Sequence, residues 1–230
     1  MSKVNPKKTA RIAGLFFLSM VVFGLFSEIF VRQKLIVTGD AVATSSNILS
    51  NAFLYRLGIA SDILMSLSYL FTSFALYCLL VSVNKKIAWL MVIFASAGCI
   101  LLMFNVLNEA VPLYLLQGSD YLSVFSQAQL QALAMFFYEL YGHGYMIGQI
   151  FFALWVLPLG VLIYQSRFIP KVFGIFFLGE VVFALVAVFV HFLIPNAMVE
   201  NLLLVPGIVA EFGFLFYLLF RGVETRKIGN

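Results

Sequence analysis

The chain has 230 residues, of which 63% are hydrophobic and only 10% charged. A soluble domain carries roughly 25% charged residues, so this composition cannot clothe a water-facing surface and excludes an ordinary soluble enzyme or binding module. The formal charge of +4 is scattered in short basic clusters between apolar runs, which reads as a topology signal and not as a nucleic-acid footprint.

The apolar runs are continuous and do not alternate, which disfavours a β-barrel. A helical span needs about 20 residues. The first run, Ile12 to Val31, follows a basic stretch containing Lys3, Lys7, Lys8 and Arg11. It is longer than the roughly 7–15-residue core of a signal peptide, and no small-residue cleavage site follows it, so it is read as a retained first span. After it, Thr38-Gly39-Asp40 reads as a turn and helix cap. The polar segment Ala41 to Asn51 then predicts a short surface helix.

Span two is expected over Phe53 to Val83, and span three from Ile87 to Leu113, interrupted late by Pro112. Ser126-Gln127-Ala128-Gln129 has capping-box spacing and should start the helix that leads into span four, within Leu130 to Tyr164. Gly142, Gly144, Gly148 and Pro158 in span four weaken its hydrogen-bond ladder and predict a kink or break there. Span five is expected over Val172 to Ile194, stopped by Pro195, and span six over Leu202 to Phe220. The reading is a single integral membrane domain, residues 1–230, without repeats or a low-complexity linker.

Charge alternates between the connections. One side carries Lys3, Lys7, Lys8, Arg11, Lys85, Lys86, Arg167, Lys171, Arg221, Arg226 and Lys227, eleven basic residues against three (Arg32, Lys34, Arg56) on the other. The positive-inside rule then places both termini in the cytoplasm, in agreement with an even number of spans. Cys78 and Cys99 lie inside apolar runs and read as packing residues, not as a disulfide framework.

Charged residues within a span cost about 2.5–3.5 kcal/mol on insertion scales when central, so they should face protein or a water-filled cavity. Placed by helical rise from each cytoplasmic anchor, Glu28, Arg32, Arg56, Asp62, Asn105, Asn108, Glu109, Glu139, His143 and His191 collect in the outer half of their spans. Glu180 and Glu211 fall near mid-depth. Glu28 with Arg32, Glu139 with His143, and Asn105 with Asn108 and Glu109 each share a helix face by i, i+3 and i+4 spacing.

Two functional readings stay open. In the first, carboxylates and imidazoles bind a cation, with Glu139 and His143 as ligands for a divalent metal and Asp62, Glu109 or His191 completing the set. In the second, Arg32 and Arg56 hold an anionic head group or small-molecule substrate while Glu139 and His143 exchange protons. Against both stands the structural alternative, in which these residues only fasten helices together. No nucleotide-binding, zinc-protease or serine-hydrolase signature is present, and two histidines are too few for a three-histidine zinc site.

Several stretches carry a family likeness. They are R-I-A-G-L at Arg11 to Leu15, F-V-R-Q-K-L-I-V-T-G-D at Phe30 to Asp40, and A-T-S-S-N-I at Ala43 to Ile48. Y-R-L-G-I-A-S-D-I-L at Tyr55 to Leu64, H-G-Y-M-I-G at His143 to Gly148, and L-P-L-G-V-L-I-Y-Q-S-R-F-I-P-K at Leu157 to Lys171 complete the set. Together they resemble the bacterial membrane family catalogued as domain of unknown function 4386. The resemblance implies a multi-pass bacterial membrane protein and carries over no activity and no catalytic residue.

The expectation is therefore an all-α, polytopic transmembrane helix bundle of six spans in the bacterial inner membrane. Both termini face inward, and a short surface helix joins spans one and two. An outward-facing polar pocket would take a small ligand, a lipid head group or a cation. The alternatives are an accessory membrane protein, and a membrane-embedded enzyme using Glu139 and His143. The lipid bilayer is the expected partner and nucleic acid is not.

Overall fold

The computed structural model describes residues 5–223, all of its regular structure helical. Lys3, Arg226 and Lys227, which contribute to the charge alternation, lie outside the described residues. Among the described residues, six helices are long and apolar enough to cross a membrane: α1 (Pro6–Leu35), α3 (Ala52–Leu80), α4 (Lys85–Gln117), α5 (Gln127–Gln165), α6 (Lys171–Leu193) and α7 (Ala197–Arg221). Between the first two lies α2 (Ala41–Ser50), ten residues long. The chain is a multi-pass membrane protein, and its lipid-facing surface is apolar: Phe104, Leu107, Phe189, Val209 and Phe220 are all exposed.

The helix ends follow local chemistry. Gly39 takes a positive φ of 77°, a conformation that costs glycine little. It turns the chain so that Asp40 accepts from the Ala43 amide at 2.8 Å and caps α2. The box before α5 forms as its spacing predicts: Gln129 Oε1 accepts from the Ser126 amide at 2.8 Å while Ser126 Oγ accepts from the Gln129 amide at 3.4 Å. Asn196 caps α7 through the Val199 amide.

Two expectations about helix breaks are corrected. Pro112 does not interrupt span three, because α4 continues to Gln117. Span four is not broken either, since α5 runs from Gln127 to Gln165 through Gly142, Gly144, Gly148 and Pro158. A proline lacks one N–H, and within a membrane bundle neighbouring groups and local adjustments absorb the loss, so the helix carries on. Pro195 does stop α6, which ends at Leu193.

The main irregularity is in α1. Residues Phe26–Arg32 wind as a π-helix, closed where the Gln33 amide reaches back five residues to the Glu28 carbonyl. A second π turn, Tyr217–Arg221, ends α7.

The chain forms two compact units. The first holds described residues 5–18, 68–99 and 146–223. Its interior is aromatic and aliphatic, with Phe17, Tyr69, Trp155, Leu159, Phe177 and Phe214 fully buried. The Tyr69, Phe152 and Trp155 rings form a triangle, with Tyr69 at 5.2 Å from Phe152 and 5.1 Å from Trp155 and those two 5.2 Å apart. The second unit is Ser19–Leu67 and Ile100–Tyr145. Its apolar core is Val31, Leu35, Ile48, Tyr55 and Leu113. Gly58 allows α1 and α3 to approach closely there, since a Cβ on it would meet Val31 Cγ1 at 2.8 Å.

Candidate functional site

Beside its apolar core, the second unit buries charge. Arg32 closes the π segment of α1, with a side chain that is 12% exposed. The wider π turn brings residues four and five positions back onto one side. Arg32 Nε therefore pairs with Glu28 Oε2 at 2.8 Å while Nη1 donates to Ser27 Oγ at 2.8 Å. Segments of π-helix occur frequently at functional sites.

The same Nη1 faces three other helices. It lies 2.7 Å from Asp62 Oδ2 on α3, 3.3 Å from Glu109 Oε1 on α4, and 3.1 Å from the Tyr141 hydroxyl on α5. A guanidinium Nη carries two N–H groups, so four oxygens share two protons. The Tyr141 hydroxyl spends its own proton on Asp62 Oδ2, at 2.5 Å, and can only accept from Arg32. The guanidinium carbon also stands 5.4 Å from the Tyr141 ring centre, within the range of a cation–π contact.

With every carboxyl ionised, this cluster carries more negative than positive charge. Glu28, Asp62 and Glu109 offer three carboxyls to one guanidinium. Asp62 and Glu109 are each 1% exposed and their carboxyls are within hydrogen-bonding reach of each other, yet among the described residues Asp62 Oδ1 and Glu109 Oε2 meet no N–H or O–H donor. A buried acceptor left unpaired costs about 1–3 kcal/mol, more when charged. The arrangement therefore has spare capacity to receive a donor.

Supporting contacts hold the cluster in place. Tyr55 donates to the Glu109 backbone carbonyl at 2.6 Å, and Ser66 donates to the Asp62 carbonyl at 2.9 Å. Asn105 Nδ2 donates to the Tyr141 carbonyl at 2.8 Å and its Oδ1 accepts from Asn108 Nδ2 at 3.1 Å. The Asn105 side chain fills the space beside Gly144, where any Cβ would overlap it.

The residues singled out from sequence thus divide. Glu28, Arg32, Asp62 and Glu109 meet, and Asn105 and Asn108 brace the helix that carries Tyr141. Arg56 is exposed and its Nη2 donates to Gln117 Oε1 at 3.3 Å. Glu139 and His143 are exposed on α5, one turn apart. His191 belongs to the first unit, with Nδ1 at 2.9 Å from Glu200 Oε2. Among the described residues, no group of three or more His, Cys, Asp and Glu is arranged to hold a metal ion.

Sequence reasoning missed Tyr141, Ser27 and Tyr55. A tyrosine within an apolar run reads as packing, although a buried tyrosine hydroxyl needs a partner, and that requirement is the signal that was present. Ser27 stands one position from Glu28, and α-helical spacing does not bring both onto Arg32.

A family model described as Domain of unknown function (DUF4386) matches residues 12–222. That covers nearly all of the chain, so the protein belongs to this family. No curated protein and no solved structure matches it.

Proposed function

We propose that this member of the family binds a small cationic group, an organic ammonium, against Asp62 and Glu109. The observation that carries the reading is the pair of buried oxygens without a donor, Asp62 Oδ1 and Glu109 Oε2, beside a single guanidinium that already serves three carboxyls. An ammonium brings donors to those oxygens and a charge that offsets the acidic excess. An anionic ligand is less well served, because Arg32 Nε and Nη1 already face carboxylates that it would have to displace. The donor geometry also favours an organic cation over a metal ion, given the lack of a three-ligand group among the described residues.

The ammonium can belong to a free amine or to an ethanolamine lipid head group. In this reading the protein is one integral domain of the bacterial inner membrane, with both termini in the cytoplasm and the Arg32 cluster in the outer half of the spans. The excess of basic residues on the connections shared with the termini supports that orientation.

One observation favours the rival, accessory reading: groups from α1, α3, α4 and α5 meet on one nitrogen, which ties helices together without any ligand. Binding separates the two. Protein in nanodiscs of choline lipids is titrated with ethylamine in one arm and with ethanolamine lipid in the other. Saturable binding in either arm, weakened tenfold or more in the Asp62→Asn/Glu109→Gln variant, is expected. Equal affinity of variant and wild type, or no binding in both arms, overturns the proposal and leaves the fastening role.

A further inference from the structure

The first unit has ionisable side chains of its own. Glu180 lies on α6 and Glu211 on α7, and their carboxyls are within hydrogen-bonding reach of each other. The two helices are joined by only three residues, 194–196, and pack as a hairpin. Glu180 is 7% exposed, and its Oε2 has no hydrogen-bond partner.

The chain makes room for this carboxyl. A Cβ on Gly207 of α7 would fall 2.8 Å from Glu180 Cγ and 2.9 Å from Cδ, so the bare glycine is the notch that admits it. From α3, the Tyr69 hydroxyl interacts electrostatically with Glu211 and with Cys99 of α4. That hydroxyl is also buried and without a partner. Among the described residues, no arginine, lysine or histidine is in the set of groups that act on either carboxyl.

Two ionised carboxylates touching in an apolar interior repel strongly, and no basic side chain offsets them. One proton between them replaces the repulsion with a short, charge-assisted hydrogen bond. We propose that Glu180 and Glu211 form a proton-binding site within the spans: at neutral pH they share one proton, taken up and released at this pair. The Tyr69 hydroxyl is near enough to feel the remaining negative charge. The site uses none of the side chains of the ammonium reading and stands or falls separately.

Infrared spectroscopy of the protein in nanodiscs tests this directly. The wild type should show a carboxylic C=O stretch that shifts on hydrogen–deuterium exchange. In either single variant, Glu180→Gln or Glu211→Gln, the remaining buried acid should keep a carboxylic band, moved in frequency because its carboxylate partner is gone, and the double variant should lose this component. A wild-type spectrum identical to that of the double variant overturns the proposal. A band that keeps the wild-type frequency in either single variant places the proton on one acid and overturns the sharing. Alkaline titration of the wild type needs no variant: the band should give way to a carboxylate band, and a carboxylic region unchanged across the titration counts equally against the site.

Discussion

The Tyr141 hydroxyl donates to Asp62 Oδ2 across 2.5 Å, although the two residues are 79 positions apart in the chain. This bond joins the fourth span to the second. It also fixes which carboxylate oxygen remains free, because Oδ2 takes both Tyr141 and Arg32 while Oδ1 takes neither. The tyrosine therefore aims the carboxylate as well as tethering it.

Tyr141→Phe should test that bond. It removes a donor to a charged, buried acceptor and should cost about 1.5–3 kcal/mol. Tyr114→Phe, at a side chain that is 69% exposed, should stay within about 0.5 kcal/mol. Unfolding in mixed micelles reads both, and equal stability of the two variants would contradict the role given to Tyr141.

Arg32→Gln should be the most damaging single change in the second unit. It leaves Asp62 and Glu109 buried without their counter-charge, and breaking one partner out of a buried ion pair costs about 3–5 kcal/mol. Adding Asp62→Asn should recover part of the loss, because the uncompensated charge goes with it. If the double variant is as unstable as the sum of the two singles, the charges are not coupled and the network is only a packing arrangement.

Two glycines two positions apart on α5 should respond with opposite signs. An alanine at Gly144 would overlap the Asn105 side chain, which is held by its bond to the Tyr141 carbonyl. Gly144→Ala should therefore destabilise by about 1–3 kcal/mol, as overpacking does. A Cβ at Gly142 meets nothing within 4 Å. Gly142→Ala should stabilise by about 0.5–1 kcal/mol through the helix interior alone. Thermal unfolding of the two variants side by side decides it, and loss of stability at both positions would mean that helix bending, not space, is what the glycines provide.

The spans were legible because hydropathy is a one-dimensional property: a run of apolar residues long enough to cross lipid has few other solutions. The helix cap at Ser126 was legible for a similar reason, since both partners of the box lie within four residues. Glu28, Arg32, Asp62 and Glu109 could be named because charge inside a span is costly and needs a reason. Depth alone did not separate them from Glu139 and His143, which stand at a comparable level but on an exposed face of α5. Which face of a long, almost uniformly apolar helix turns inward is decided by neighbouring helices, and no local pattern records it. The same holds for Tyr141, whose partner is on another span. Pro112 misled for a related reason, because a rule about helix breaking in water was applied where the surrounding bundle keeps the helix intact.

The π segment Phe26–Arg32 has a consequence for how this protein tolerates change in length. A π turn holds one residue more than the α turn it replaces, so the segment is equivalent to a single inserted residue in an otherwise regular helix. Deleting any one residue there would leave the hydropathy of the first span almost untouched and would give it a tidier ladder. It would also swing Arg32 by about 100° around the helix axis relative to the residues before it, away from Ser27, Asp62 and Tyr141. For this chain, the number of residues between the N-terminal anchor and Arg32 is therefore as much a part of the site as the arginine itself.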